Sequence, residues 1–303
     1  LANVAPDNLV QEARRRLLSI KTDSILESSY IEEFIQDNMF TVFPTLVHTE
    51  KPDVVAARLL EGKVAFMVEG TSNVIMAPVT FFEFFNSPED YYQRADIATF
   101  VRFIRIISFF IAVFVPSIYV AVMTFHPELL PTALVISLAS QQEGVPLPTL
   151  GEALVMEIIF EIIREAGLRM PRAIGQALSI VGAIVLGQAA VQAGLISAAV
   201  VIVVAVTGIA NFVVPTYSFG IAQRLLRFTF LLLAGFMGLF GVLCGVLFLL
   251  AHLLSLESFK VPYMAPAVPF HFSDLKDTFL RLPRPFLGLK RLPQYMLSMA
   301  KKR

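Results

Sequence analysis

Residues 157–194 read EIIFEIIREAGLRMPRAIGQALSIVGAIVLGQAAVQAG, and this stretch decides how the rest of the chain is read. In its first half Glu157, Glu161 and Glu165 recur every fourth residue, which puts three carboxylates on one side of a helix. A basic turn follows, with Gly167, Arg169, Pro171 and Arg172. The second half is apolar and built largely of small residues. Acids are rarely left inside a soluble core without partners, whereas ionisable groups beside a small-residue apolar helix are usual around a polar path through a membrane.

Composition agrees. Of 303 residues, 56% are hydrophobic, and the mean hydropathy is +0.71, above what a soluble domain carries. The 24 basic and 24 acidic residues cancel, so a nucleic-acid-binding surface is not expected. Nearly all of this charge lies before Arg105, between Glu143 and Arg172, and after Leu256. Cys244 is the only cysteine, which excludes an intramolecular disulfide. The four histidines are scattered without metal-ligand spacing. No nucleophile elbow, phosphate-binding loop or zinc-protease motif is present, so neither an enzyme nor a cofactor is expected.

Outward from the central stretch, the expected fold is mainly α: a polytopic helical membrane protein with four to five spans. Residues 1–100 are expected to end a soluble domain containing a short β-hairpin, with Val64–Glu69 and Val74–Ala77 as its runs and residues 70–73 as its turn. Residues 101–256 form the transmembrane domain. Four phenylalanines in FFEFF (81–85) suit either an interfacial collar or the soluble domain's own core. Phe103–Met123 is the first span, led by Arg94, Arg102 and Arg105, which set its start on the cytoplasmic side; Pro116 predicts a bend in it. Leu129–Ala139 is too short to cross. Ile174–Val191 and Leu195–Val214 pair as a tight helical hairpin, and Phe228–Leu254 is the last span. If the acidic helix Thr149–Ala166 enters the membrane only partly, four spans return the basic tail to the cytoplasm; if it crosses, the count is five. Residues 257–303 read as a basic, proline-rich tail with amphipathic pieces that suit the membrane surface and its lipids. The charged, helical start carries no cleavable signal-peptide pattern, so an internal span is expected to drive insertion.

Two faces of the small-residue helix carry the site expectations. Gly175, Ser179, Ala183 and Gly187 form a four-residue ladder that lets another helix approach closely; Gly241 and Gly245 make a GxxxG match in the last span. The opposite face carries Val181, Val185, Gln188 and Gln192. Around a symmetry axis it would place a narrow apolar ring beside polar groups, as in a hydrophobic gate; the bland alternative has the glutamines bonding to neighbouring helices. Glu157 finds no basic partner along its own helix, whereas Glu161 and Glu165 have Arg164 and Arg169. Glu157 and Glu161 are therefore candidates for an acidic, cation-concentrating vestibule, against the alternative of acids stitching helices together.

GLRMP followed by AIGQALSIVGAIVLGQAAVQAGLIS resembles the A subunits of GerA-type spore-germination receptors of endospore-forming bacteria. EGKVAFMVEGTSNVIMAP, FNSPEDYY, FHPELLP and the proline-punctuated tail after Leu254 resemble the same family in the same order, from about residue 60 to the end. Such A subunits usually have a longer soluble N-terminal domain, so a fragment lacking most of it is expected. The resemblance implies a subunit of an oligomeric, nutrient-gated receptor or ion channel in the spore inner membrane, working with B- and C-type subunits and further A copies. Small nutrient germinants would bind through a partner. A secondary transporter for ions or small nutrients and a non-conducting membrane scaffold are the alternatives.

Overall fold

The computed structural model describes residues 4–171, 187–270, 277–283, 285 and 293. The fold is mainly helical. The helices are α1 (Asp7–Ser19), α2 (Ser28–Ile35), α3 (Pro52–Leu60), α4 (Ala95–Phe125), α5 (Thr132–Gln142), α6 (Thr149–Arg169), α7 (Gly187–Gln192), α8 (Ala198–Phe212) and α9 (Tyr217–Ser255). The strands are β1 (Val47–Thr49), β2 (Val64–Phe66), β3 (Val74–Ala77), β4 (Glu257–Ser258) and β5 (Val261–Pro262). Two compact units form, and they do not follow chain order: one gathers residues 1–106, 215–219 and 249–303, the other 107–214 and 220–248.

In the first unit β3 is the central strand of a three-stranded antiparallel sheet, pairing with β2 (Phe66 opposite Ile75) and with β1 (Val47 opposite Met76). The β1 strand was not anticipated from sequence, because three residues are too few to show alternation. Leu9 and Ala13 of α1 and Ile31 and Ile35 of α2 pack with Phe66, Ile75 and Ala77. The residues after α9 close this core rather than leaving it: Phe259, Val261 and Ala265 belong to the same cluster. Phe259 and Lys260 link β4 to β5 with φ of 49° and 64°, the backbone a two-residue hairpin turn requires. Phe259 tolerates it with its ring fully buried and the Arg16 guanidinium 4.1 Å from the ring centre.

FFEFF forms a 3-10 turn whose Phe81, Phe84 and Phe85 are buried, and Phe84 stacks on Phe219 at 4.9 Å and 3°. Of the two readings of this segment, core rather than collar is what forms. Within it Glu83 receives Arg58 and Lys63. Burial works against the Glu83 carboxylate, but the two cations outweigh it and hold its pKa below the ordinary value. Asp90 closes a capping box with Ser87 and also takes Arg102 (3.0 Å) and Arg105 (2.8 Å). Arg102 and Arg105 are thus buried against carboxylates, whereas Arg94, just before α4, stays exposed beside Asp96.

In the second unit α6 packs on α8, with Ala153 and Met156 in one cluster with Val200 and Val204, and Val120, Ile196 and Leu231 complete it. Two helices among the described residues are long and apolar enough to cross a membrane: α4, with 31 residues, and α9, whose 39 residues divide into two arms at Gly238. Backbone helix continues through Pro116 in α4. The segment 195–214, read as a full span, is helical over only the 15 residues of α8, roughly 22 Å against a hydrocarbon core of about 30 Å. A reason stands at its N-terminus, where the Ser197 N–H donates to the Glu152 carboxylate at 2.7 Å and starts the helix there.

The last span also differs from its reading. At Gly238 φ is 60° and ψ −147°, a region reserved for glycine. A Cβ on Gly245 would lie 2.7 Å from the Phe230 ring and 2.8 Å from Leu233. In a straight helix residues 230 and 245 would be roughly 22 Å apart, so the second half of α9 folds back along the first. Gly241, whose Cβ would come 2.4 Å from the Leu233 carbonyl, sits at the same seam. The GxxxG pair is thus spent on the helix's own first half. The segment Ile174–Val191 lies outside the described residues up to Leu186.

Candidate functional site

The acid ladder of α6 meets α9. Glu157 has no partner on its own helix, and α9 supplies one seventy residues later: Arg227 Nη2 lies 2.9 Å from Glu157 Oε2. The two side chains are 1% and 0% exposed. One turn along, Glu161 pairs with Arg224 and lies 3.9 Å from both Arg164 and Arg227. Spacing explains the match: four residues apart on α6 and three on α9 both return a side chain to the same face, so two rungs form between antiparallel helices. Glu165 stays on its own helix with Arg169, at 2.8 Å.

A third helix joins through Asn211 of α8. With its amide oriented by its neighbours, the oxygen accepts from Arg164 Nη1 at 2.9 Å and the nitrogen donates to Gln223 Oε1 at 2.9 Å. The Arg164 guanidinium also lies 4.5 Å from the centre of the Phe212 ring, an attraction that strengthens when water is excluded. The result is a polar lattice inside an otherwise apolar unit, buried at Glu157, Asn211, Gln223 and Arg227 and half-buried at Glu161, Arg164 and Arg224. Chemically it offers fixed charges and hydrogen-bond donors; it holds no nucleophile with a base.

Sequence reasoning singles out Glu157 and Glu161 and does not find Asn211, Gln223, Arg224 or Arg227. A polar residue on an apolar helix a whole number of turns from an arginine was the available signal: Gln223 and Arg227 are four apart. Of the gate candidates, Gln188 and Gln192 are exposed on α7, while Val181 and Val185 lie outside the described residues. Among the packing candidates Gly187 is buried, Gly241 and Gly245 occupy the α9 seam, and Gly175, Ser179 and Ala183 lie outside the described residues.

Residues 1–292 match the sequence profile of the family described as Bacillus/Clostridium GerA spore germination protein. The chain belongs to the GerA family. The match takes in the first 60 residues as well as the motifs that carry the resemblance. This GerA-family chain is 50% identical over 283 residues to spore germination protein KA of Bacillus subtilis (strain 168), covering 93% of the chain and 52% of that protein. It is 46% identical over 280 residues to the uncharacterized membrane protein YfkQ of the same organism (92% and 55%). With spore germination protein GerLA of Bacillus cereus it shares 42% over 296 residues (98% and 60%). The chain therefore spans between half and three-fifths of these relatives' length. No solved structure matches it.

Proposed function

We propose that this chain is the membrane-embedded part of the A subunit of an oligomeric, nutrient-responsive spore germination receptor, and that the receptor is a ligand-gated ion channel of the spore inner membrane. The observation that carries the reading is the lattice: five ionisable side chains gathered between α6 and α9, the latter long and apolar enough to cross a membrane. Such groups in a membrane domain mark a functional path more often than a stabilising device. In this reading B- and C-type subunits and further A copies assemble around the chain, and a small nutrient binds on a partner or between chains. The signal reaches the helix that begins at Ile174. Its rotation carries Val181 and Val185 away from the axis, with Gln188 and Gln192 beside them, and wets the pore. Glu157 and Glu161 are the vestibule acids, covered by Arg227 and Arg224 in the closed state and uncovered on opening.

The test is conductance in planar bilayers of the purified chain, alone and with its partner subunits. Nutrient-dependent current from the assembly supports the reading; stoichiometric nutrient uptake in its place would indicate a transporter. One observation favours a scaffold instead, namely that Glu157 is wholly buried against Arg227. Current that persists from partner subunits without this chain would establish that second reading.

A further inference from the structure

Between Asp37 and His48 the chain reads NMFTVFPTLV, without an Asp, Glu, Lys or Arg. The stretch is fastened to the first unit on both sides of its tip. Asp37 is held by Arg16 at 2.5 Å, and its other oxygen accepts from the Phe259 N–H at 2.7 Å. Phe43 is buried among Phe81, Phe219 and Tyr263. Between these anchors the Asn38 side chain accepts the Phe40 N–H at 2.9 Å, a local turn of the kind short polar side chains favour. At that turn two large apolar side chains project outward together: Phe40 is 98% exposed and Met39 67%. Apolar side chains grouped on a surface in this way mark a contact with a partner or a membrane.

Which of these it is follows from α9. Thr41 Oγ1 lies 3.0 Å from His252 Nε2, and the Phe43 ring is 6.3 Å from the same imidazole. His252 stands one turn before the end of α9 at Ser255. Along that arm of the helix Phe240, Leu243, Leu247, Leu250 and Leu254 are exposed, at steps of three and four that keep them on one face. Such a stripe, on a helix apolar enough to cross a membrane, is the face that meets lipid. It runs past His252 to Leu254, so the loop that touches His252 stands at the level where the helix leaves the hydrocarbon.

We infer that the tip at residues 39–40 inserts into the bilayer that α9 crosses, at the boundary between lipid headgroups and acyl chains. Phe40 and Met39 gain by burial there, no charge has to be dehydrated, and the backbone of the turn stays within reach of headgroup water. The loop thereby fastens the first unit to the membrane at a point outside the spanning helices. The inference rests on the membrane placement of α9 in the proposed function.

The chain contains no tryptophan, so Phe40→Trp is a single-fluorophore reporter, and the exposed position lets the exchange leave the core untouched. Phe248→Trp, at an exposed position on α9, reports on the span itself. The full chain carrying either substitution is reconstituted in phosphatidylcholine vesicles with and without bromine on the acyl chains. Bromolipid should quench Phe248→Trp. It should also quench Phe40→Trp, roughly twofold, with bromines near the headgroup end of the chain more effective than bromines at its tail, as a depth of about 5–10 Å requires. Quenching of Phe248→Trp alone, with Phe40→Trp open to aqueous iodide, places the tip in water and overturns the inference while leaving the span in place. Protection of Phe40→Trp from both quenchers means that a protein surface, such as a second copy of the chain, covers the tip, and overturns it as well. Failure of bromolipid to reach Phe248→Trp overturns the membrane placement of α9, and the inference with it.

Discussion

Glu157 and Arg227 meet at 2.9 Å with 0% and 1% of their side chains exposed, and a double-mutant cycle on them is the most informative perturbation of the fold. Removing one partner of a buried pair leaves a charge that neither water nor protein neutralises, at a cost of about 3–5 kcal/mol, while replacing both by apolar residues of similar size is close to neutral. The surrounding lattice makes the two single variants unequal. Glu157→Met leaves three arginines facing one carboxylate, whereas Arg227→Met leaves two arginines facing two carboxylates. Glu157→Met should therefore be the worse, near the upper end of that range, and Arg227→Met near the lower. The double variant should be more stable than Glu157→Met alone, with a coupling of about 2–4 kcal/mol. Thermal melting in detergent followed by far-UV circular dichroism reads this as a drop of roughly 10 °C for Glu157→Met. Additive losses, or Arg227→Met falling below Glu157→Met, would refute both the pairing and the charge count.

Four other outcomes follow from the structure. Gly238→Ala should cost about 1–3 kcal/mol for its backbone angles alone, with its Cβ also 3.1 Å from Phe125 and His126; Gly144→Ala, in open space, is the control that should not shift the melt. Lys63→Met should destabilise the first unit by about 3 kcal/mol, because Lys63, 1% exposed, is one of the cations that neutralise Glu83; urea unfolding measures it. His48 is hydrogen-bonded to Glu32 at 2.6 Å, which raises its pKa above 6.5 in the folded state; the pair's contribution is complete below that unfolded value and fades as pH rises through the raised one. With both side chains a quarter exposed it amounts to at most about 1 kcal/mol, and Glu32→Gln should flatten that part of the pH–stability curve. Val185→Ala should raise basal ion leak in reconstituted receptors, and unchanged leak with normal gating would count against this helix as the gate.

What the sequence made legible was whatever depends on neighbours along the chain. The 3.6-residue pattern located α6, the apolar runs located α4 and α9, and the β-prone runs at Val64 and Val74 located two paired strands. Glu157 was marked as unusual because no basic residue stood three or four places away. Its partner could not be read, since Arg227 is brought to it only by the packing of α6 and α9. Gly238 illustrates the same limit: in an apolar helix a glycine reads as a packing residue, and only a positive φ turns it into the point where the helix reverses. The segment after Leu256 was read from its prolines as an extended surface tail. Yet Phe259, Val261 and Ala265 are fully buried, because the first unit's core is incomplete without them, and composition does not report a core shared between distant stretches.

The most direct measurement on the proposed function is cysteine accessibility along Ile174–Gln192 in assembled receptors after replacement of Cys244. The account predicts modification at Val181, Val185, Gln188 and Gln192 that changes when nutrient is added. Protection of that whole face, with nutrient and without, would make it a packing seam and contradict the gate.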